Sequence, residues 1–283
     1  MKITIIGANG QLGTDLMEIF SSYNAIPLTH SQIEITQFES CLILKDIKPD
    51  IIINTAAFHK VDACEDNVLK SFLVNAIGAK NVAKICEDIK AINIYISTDY
   101  VFDGEKKTPY KESDEPNPIN VYGISKYAGE LFTKNYCSQY YIIRVASLFG
   151  KAGASGKGGN FVETMIKKAK EQELKVINDI IMTPTYTKDC AQMIKIILEK
   201  ELPYGIYHLT NQPACSWFDF AVEIFKILKM NVSITPITSD EFVFKANRPK
   251  NSALISEKLP IYNLKMRLWK NALKDYLKEK GYL

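Results

Sequence analysis

The chain has 283 residues, 47% hydrophobic and 24% charged, a globular composition with ample material for a core, which excludes a disordered, collagenous or peptide-scale protein. Its 35 Lys and Arg against 32 Asp and Glu leave a net charge of +3, too small an excess for an extended nucleic-acid surface, so any anion site must come from local placement. Six scattered cysteines without a C-x-x-C pair, only three histidines and no secretory or membrane-spanning apolar run argue against a zinc site, a disulfide framework or a membrane partner, and the chain reads as cytoplasmic and complete from Met1.

Residues 2–6 are a β-branched apolar run ending at glycine, the pattern of a strand buried on both faces. Gly7-Ala8-Asn9-Gly10-Gln11-Leu12-Gly13 follows and opens a helix whose Leu12, Leu16, Ile19 and Phe20 share one face. Glycines at such a junction allow a tight turn and close backbone approach, and the helix N-terminus offers unpaired N–H groups, which together suit a pyrophosphate. The spacing differs from G-x-G-x-x-G; the position at the first strand–helix junction carries the dinucleotide reading. A weaker strand covers 25–28. A carboxylate for the ribose 2′-hydroxyl is expected about 20 residues beyond the turn, but Leu28-Thr29-His30-Ser31 stands there. With no carboxylate to repel a 2′-phosphate, and Thr29, His30 and Ser31 able to donate to one, NADP(H) is favoured over NAD(H). Glu34 and Ile35 lie where an adenine edge could be read.

Phe38, Leu42 and Ile43 mark a helix face, and 50–54 a second buried strand. Asn54-Thr55-Ala56-Ala57 ends it with side chains small enough for a cofactor to lie against the backbone. Asp62 and Glu65 read as first-turn carboxylates favoured by the helix dipole, and Phe72, Asn75, Ala76, Ala79, Val82 and Ala83 share the face of the next helix. The strand 92–97 carries Thr98, Asp99 and Tyr100 at its C-terminal end, the edge where open α/β sheets bind ligands; Thr98 can hydrogen-bond a reacting carbonyl. Tyr122 and Lys126, four apart at the start of a helix, lie on one face. A neighbouring ammonium would lower the phenol pKa and make Tyr122 a better proton relay, and Lys126 could also hold ribose hydroxyls. A further strand covers 140–145. Strands alternating with helices predict right-handed βαβ units, hence an α/β fold with a Rossmann-type doubly wound parallel sheet.

After Gly150 five of the fourteen glycines fall within 150–159, read as a mobile substrate loop that would bring Asn160 near a nucleotide; Gly156-Lys157 fails the triphosphate-loop pattern. Helices are predicted over 161–170, 187–199, 217–228 and 264–280, and strands over 176–177 and 206–209. In the last helix Leu268, Trp269, Leu273, Tyr276 and Leu277 form the apolar face. Arg248 is a candidate bidentate partner for a substrate diphosphate; His59 and His208 read as structural or rim residues. Residues 1–150 are thus expected to form the dinucleotide-binding domain, and 151–283 a smaller C-terminal α/β substrate lobe, with the chain free to cross back between them.

The glycine spacing, Asn54-Thr55-Ala56-Ala57, the segment 97–104 and Tyr122-x-x-x-Lys126 resemble the extended short-chain dehydrogenases. More narrowly, together with Val61-Asp62-Ala63-Cys64-Glu65, the segment 159–165, Val176-Ile177-Asn178-Asp179, Pro184-Thr185-Tyr186 and Arg248-Pro249-Lys250-Asn251-Ser252, they resemble the dTDP-4-dehydrorhamnose reductase family. That resemblance implies reduction of a dTDP-linked 4-keto-6-deoxysugar by NADPH, with NADH possible, hydride coming from the nicotinamide. Tyr122 would protonate the C4 oxygen, Lys126 would support Tyr122 and hold ribose, and Thr98 would orient the carbonyl. Asp99, with Tyr100 and Asn160, would contact substrate; Gly10, Gln11, Leu12, Glu34, Ile35, Thr55, Ala56 and Ala57 would contact cofactor. Ser147 stands where many members carry a tryptophan against the sugar, which removes an apolar contact surface and leaves the sugar open. A nucleotide-sugar epimerase or another keto-sugar reductase, and a catalytically silent dinucleotide-binding subunit, remain alternatives at this stage, as do a monomer and a homodimer.

Overall fold

The structure is a computed structural model that describes residues 1–153, 159–169 and 173–283. Gly156-Lys157 and the end of the helix expected over 161–170 lie outside the described residues. The first half runs β1 (Lys2–Ile6), α1 (Gln11–Ile19), β2 (Asn24–Leu28), α2 (Phe38–Cys41), α3 (Ile43–Ile47), β3 (Ile51–Asn54), α4 (Val61–Asp66), α5 (Val68–Phe72), α6 (Gly78–Ile89), β4 (Ile92–Thr98), α7 (Val121–Tyr136) and β5 (Tyr140–Val145). The second runs β6 (Leu148–Phe149), α8 (Phe161–Lys168), β7 (Leu174–Ile177), β8 (Ile181–Met182), β9 (Thr185–Tyr186), α9 (Thr187–Glu199), β10 (Gly205–His208), β11 (Cys215–Ser216), α10 (Trp217–Leu228), β12 (Ile234–Ile237) and α11 (Trp269–Glu279).

Six parallel strands form the main sheet in the order β10-β5-β4-β3-β1-β2. Its double winding follows from the two-residue period of the strands. Ile3, Ile5, Ile51 and Ile53 pack on one face with Leu12, Leu16 and Phe20 of the α1 side and with α9. Ile6 and Ile52 point to the other face, against Leu28, Ile33, Val82 and Ala83. Each such side chain, fully buried, contributes roughly 1.5–3 kcal/mol. The strand order reverses between β1 and β3, and the C-terminal ends of these strands open the crevice in which such sheets bind ligands.

The sheet does not end at residue 150. β10 pairs with β5 in parallel register, Tyr207 beside Ile143, and α9 packs against α1 through Cys190, Ala191 and Ile194. Without this return β5 would leave a hydrophobic edge unpaired. The remainder of the second half builds its own aromatic core around Phe149, Phe220, Trp269 and Tyr276, with three two-stranded sheets among the described residues, of whose strands the sequence marked only β7, at 176–177.

Three elements differ from expectation for local reasons. The helix at 38–43 divides at Leu42, which is 41% exposed and caps both pieces. The helix expected from Phe72 passes through a π-turn at Leu73–Ile77, a form often found at functional sites; it turns Asn75 inward, where the amide binds both backbone groups of Phe58, at 2.9 and 3.0 Å, and donates to Ser125 Oγ of α7 at 3.0 Å. The last helix starts at Trp269, not 264, because Gln212 exchanges backbone hydrogen bonds with Arg267 and Trp269 and holds that stretch extended. Leu268 is consequently exposed, whereas Trp269, Leu273, Tyr276 and Leu277 are buried as expected.

Candidate active site

A cavity of about 1100 Å³ lies over the strand ends. It is lined by Gly7, Asn9, Gly10, Gln11 and Leu12 from the turn after β1, by Thr55, Ala56 and Ala57 after β3, and by Thr98, Asp99 and Tyr100 after β4. Tyr122 and Lys126 of α7, Ser147 after β5, and Asn160 at the start of α8 complete it, with His30, Glu34 and Ile35 at one end. Of the residues singled out in the sequence for cofactor or substrate contact, Gly13, Thr29, Ser31 and Arg248 do not line it.

The glycine turn fits a dinucleotide. Gly7 has φ +79°, and a Cβ there would meet Thr55 Oγ1 at 2.5 Å. Thr55 is fixed in that place because its hydroxyl donates to the Ile6 carbonyl at 2.8 Å. No side chain caps α1 and no acidic residue stands in its first turn, so the first amide groups of the helix face the cavity as an anion site. The Gly10 N–H is not among them, since it closes the turn on the Gly7 carbonyl at 2.9 Å; Gln11 and Leu12 carry that role. Gln11 Oε1 is buried with no hydrogen-bond partner among the described residues, as expected of a side chain placed to meet a polar ligand.

Thr98, Tyr122 and Lys126 converge on the cavity from β4 and α7. Asn120 caps α7 by accepting from Gly123 N at 2.8 Å, which fixes the start of the helix one residue before Tyr122 begins its turn inward. The electrostatics differ from the expectation that Lys126 lowers the Tyr122 pKa. Burial pushes the phenol well up, and only the Thr98 hydroxyl pulls against it. Lys126 is itself fully buried; its ammonium donates to the Ile96 carbonyl at 2.6 Å and lies 4.1 Å above the Tyr95 ring. Burial lowers Lys126 to about 7, opposed by Glu130. The site therefore holds a protonated phenol, the form a proton donor needs, beside a lysine whose charge is easily displaced.

Asp99 accepts from Thr98 Oγ1 at 3.0 Å. Burial pushes its carboxyl up to about 6 from 3.8, against hydrogen bonds from Ser252 and Thr98. A folded value above the unfolded one means that this carboxyl favours folding fully below about pH 4 and that the contribution is lost as pH rises through about 6. Asp99→Asn is therefore expected to have a higher Tm than the parent at pH 8 and no such advantage at pH 4; parallel Tm curves for the two proteins would refute it.

At the far end of the cavity the premise behind the NADP(H) preference changes. Residues 29–37 fold back on themselves, with Gln32 N and Ile33 N bonded to the Thr29 carbonyl, and this brings the Glu34 carboxylate to 3.4 Å from His30 Nδ1. A carboxylate does stand there. The Thr29 hydroxyl is engaged with Ser31 and Gln32. Lys70 of α5, over the Phe58 ring at 5.2 Å, lines the cavity too and was not anticipated from the sequence.

Arg248 is bound elsewhere: Nη2 donates to Asp62 Oδ2 at 2.7 Å, and the guanidinium lies near the Tyr100 and Phe244 rings. Asp62 also accepts from Ala246 N, and Glu65 from Val121 N. These two carboxylates thus anchor other segments on α4 and do more than balance its dipole. Asn160 caps α8 and donates to the Gly150 carbonyl at 3.2 Å and to Tyr276 Oη at 3.1 Å. Trp217 and Phe220 of α10 line the cavity and pack against Phe161 beside it, an apolar surface that no sequence motif marked. All six cysteines are buried as thiols. Among the described residues no cluster of three or more His, Cys, Asp or Glu could hold a metal ion, and no helix is long and apolar enough to cross a membrane.

Residues 1–281 match the family model described as the RmlD substrate binding domain. The spore coat polysaccharide biosynthesis protein SpsK of Bacillus subtilis is 38% identical, over 99% of this chain and 98% of that protein. A dTDP-4-dehydrorhamnose reductase of Aggregatibacter actinomycetemcomitans is 35% identical over 97% of each. Among solved structures, the dTDP-4-dehydrorhamnose reductase of Bacillus anthracis in complex with NADP superposes with a TM-score of 0.93 at 40% identity, covering 99% of this chain and 100% of that one.

Proposed function

The chain belongs to the RmlD substrate binding domain family, and from that premise we propose that it is an NADPH-dependent oxidoreductase that reduces the C4 keto group of dTDP-4-dehydro-L-rhamnose to give dTDP-L-rhamnose. The observation that carries the reading is the undisturbed set Thr98, Tyr122 and Lys126 around one cavity whose other end is the uncapped glycine turn. The nicotinamide dinucleotide supplies the hydride when bound. Gln11 and Leu12 N–H would hold its pyrophosphate, Ala56 and Ala57 would let it lie against β3, and Lys126 would take ribose hydroxyls. Thr98 orients the substrate carbonyl. Tyr122, protonated by its burial, gives its proton to the C4 oxygen as negative charge develops there, and Lys126 on the same helical face stabilises the phenolate left behind.

The choice of NADPH over NADH is supported by the NADP complex of the 40% identical relative, with Lys70 as a cation and His30 as a ring that could donate at the adenosine end; it does not rest on a missing carboxylate. Purified protein supplied with dTDP-4-dehydro-L-rhamnose is expected to consume NADPH stoichiometrically with product, and NADH less efficiently. Cofactor that stays tightly bound and is never consumed would instead indicate an epimerase, and no turnover with any dTDP-4-keto sugar would refute the reading.

A further inference from the structure

Beneath Lys126 lies a buried charge cluster that the reaction as described does not use. Glu130, on α7 one turn beyond Lys126 and fully buried, accepts from Ser97 Oγ at 2.6 Å and from Arg144 Nε and Nη2 of β5 at 2.9 and 2.7 Å. Arg144 Nη1 reaches His208 Nε2 of β10 at 3.4 Å. Since His208 Nδ1 faces the Tyr110 and Ile255 carbonyls at 3.1 and 3.2 Å, that nitrogen carries the proton and Nε2 accepts from Arg144. Burial and the Arg144 charge lower His208 to about 3, so the ring is neutral. One carboxylate thus ties together α7, β4 and β5, and through Arg144 it reaches β10.

The ties fall on consecutive residues of β4. Lys126 holds the Ile96 carbonyl and Glu130 holds the Ser97 hydroxyl, and the next residue is Thr98. We propose that Glu130, paired with Arg144, is a positioning residue that, through its hydrogen bond from Ser97 between Ile96 and Thr98, fixes both Lys126 and Thr98 against the cavity, an inference that rests on the reductase reading for its kinetic consequence but not for its structural one. Tyr95 on β4 lies under the Lys126 ammonium, Tyr122 on α7 and Asp99 after β4 line the cavity with it, and Arg144 on β5 pairs with Glu130. Tyr95 and Tyr122 are held neutral by burial, and Glu130 is the group that opposes the loss of charge on Lys126.

The test compares the full-length parent with Glu130→Gln and with Glu130→Gln/Arg144→Met. The double variant removes both charges together and so avoids a stranded buried cation that would prevent folding. NMR of protein labelled with ε-¹³C lysine, the Lys126 signal assigned by its loss in Lys126→Met, reads the lysine without substrate. In the folded double variant the Lys126 signal is expected to titrate about one pH unit lower than in the parent, and the alkaline limb of kcat/KM to move with it. An unchanged Lys126 titration in a folded variant would overturn the proposal. Absence of turnover by the parent would instead refute the reductase reading and leave the NMR comparison decisive for Glu130.

Discussion

Tyr122→Phe is expected to lower kcat for NADPH-dependent reduction by about 10³-fold, within the range for loss of a positioned proton donor, while NADPH still binds. The substitution removes one oxygen and keeps the ring that packs edge-on against Tyr100 at 5.9 Å, so α7 and the cavity wall persist. What is lost is the proton that burial holds on the phenol. The C4 oxygen would then have to take its proton from Thr98 or from water, neither aligned with a cation one turn away on the same helix. Steady-state kinetics with a fluorescence titration of NADPH separate the two effects. A variant retaining full rate would remove Tyr122 from the chemistry, and one that fails to bind NADPH would point to a cofactor role instead.

Gly13→Ala is expected to destabilise the protein by about 3 kcal/mol, the upper part of the range for overpacking, and to abolish NADPH binding. A Cβ at this position would lie 2.1 Å from the Gly7 carbonyl oxygen and 2.9 Å from Ala8 C and Cα. These are backbone atoms of the turn itself, so no side chain can rotate out of the way. Helix α1 would have to withdraw from β1, moving the Gln11 and Leu12 amides that make the anion site. Denaturant unfolding and NADPH titration would check both consequences, and an unchanged midpoint with normal binding would show that the close helix–turn packing is not required. On this prediction Gly13 would serve the cofactor without lining the cavity.

Much of the fold was legible in the sequence because its signals are local. Buried parallel strands such as Ile51-Ile52-Ile53 announce themselves as apolar β-branched runs, and the glycine turn, Thr98 and the Tyr122/Lys126 spacing stand at the strand ends where such sheets bind ligands. β10 was recognisable as a strand, but its partner was not, since pairing with β5 depends on a chain return that no local pattern encodes. The charge calculus around Tyr122 failed for a related reason. Adjacency on a helix face predicts an ammonium beside a phenol, yet Lys126 bends to the Ile96 carbonyl, and burial, a property of the whole fold, dominates both groups.

The adenosine end and Arg248 show the same boundary from the side of electrostatics. Counting residues from the glycine turn to 28–31 found no carboxylate, because the count cannot see a loop that folds Glu34 back to His30. Arg248, free in the sequence to grip a diphosphate, is held by Asp62 from a segment 186 residues earlier. By itself the sequence determined the strand–helix order of the first half, the glycine turn and the side chains proposed to react, since these depend on residue type and near-neighbour spacing. Only the tertiary structure decided which charges meet, which protons stay on and where Glu130 sits, because burial and long-range pairing are set by contacts between distant parts of the chain.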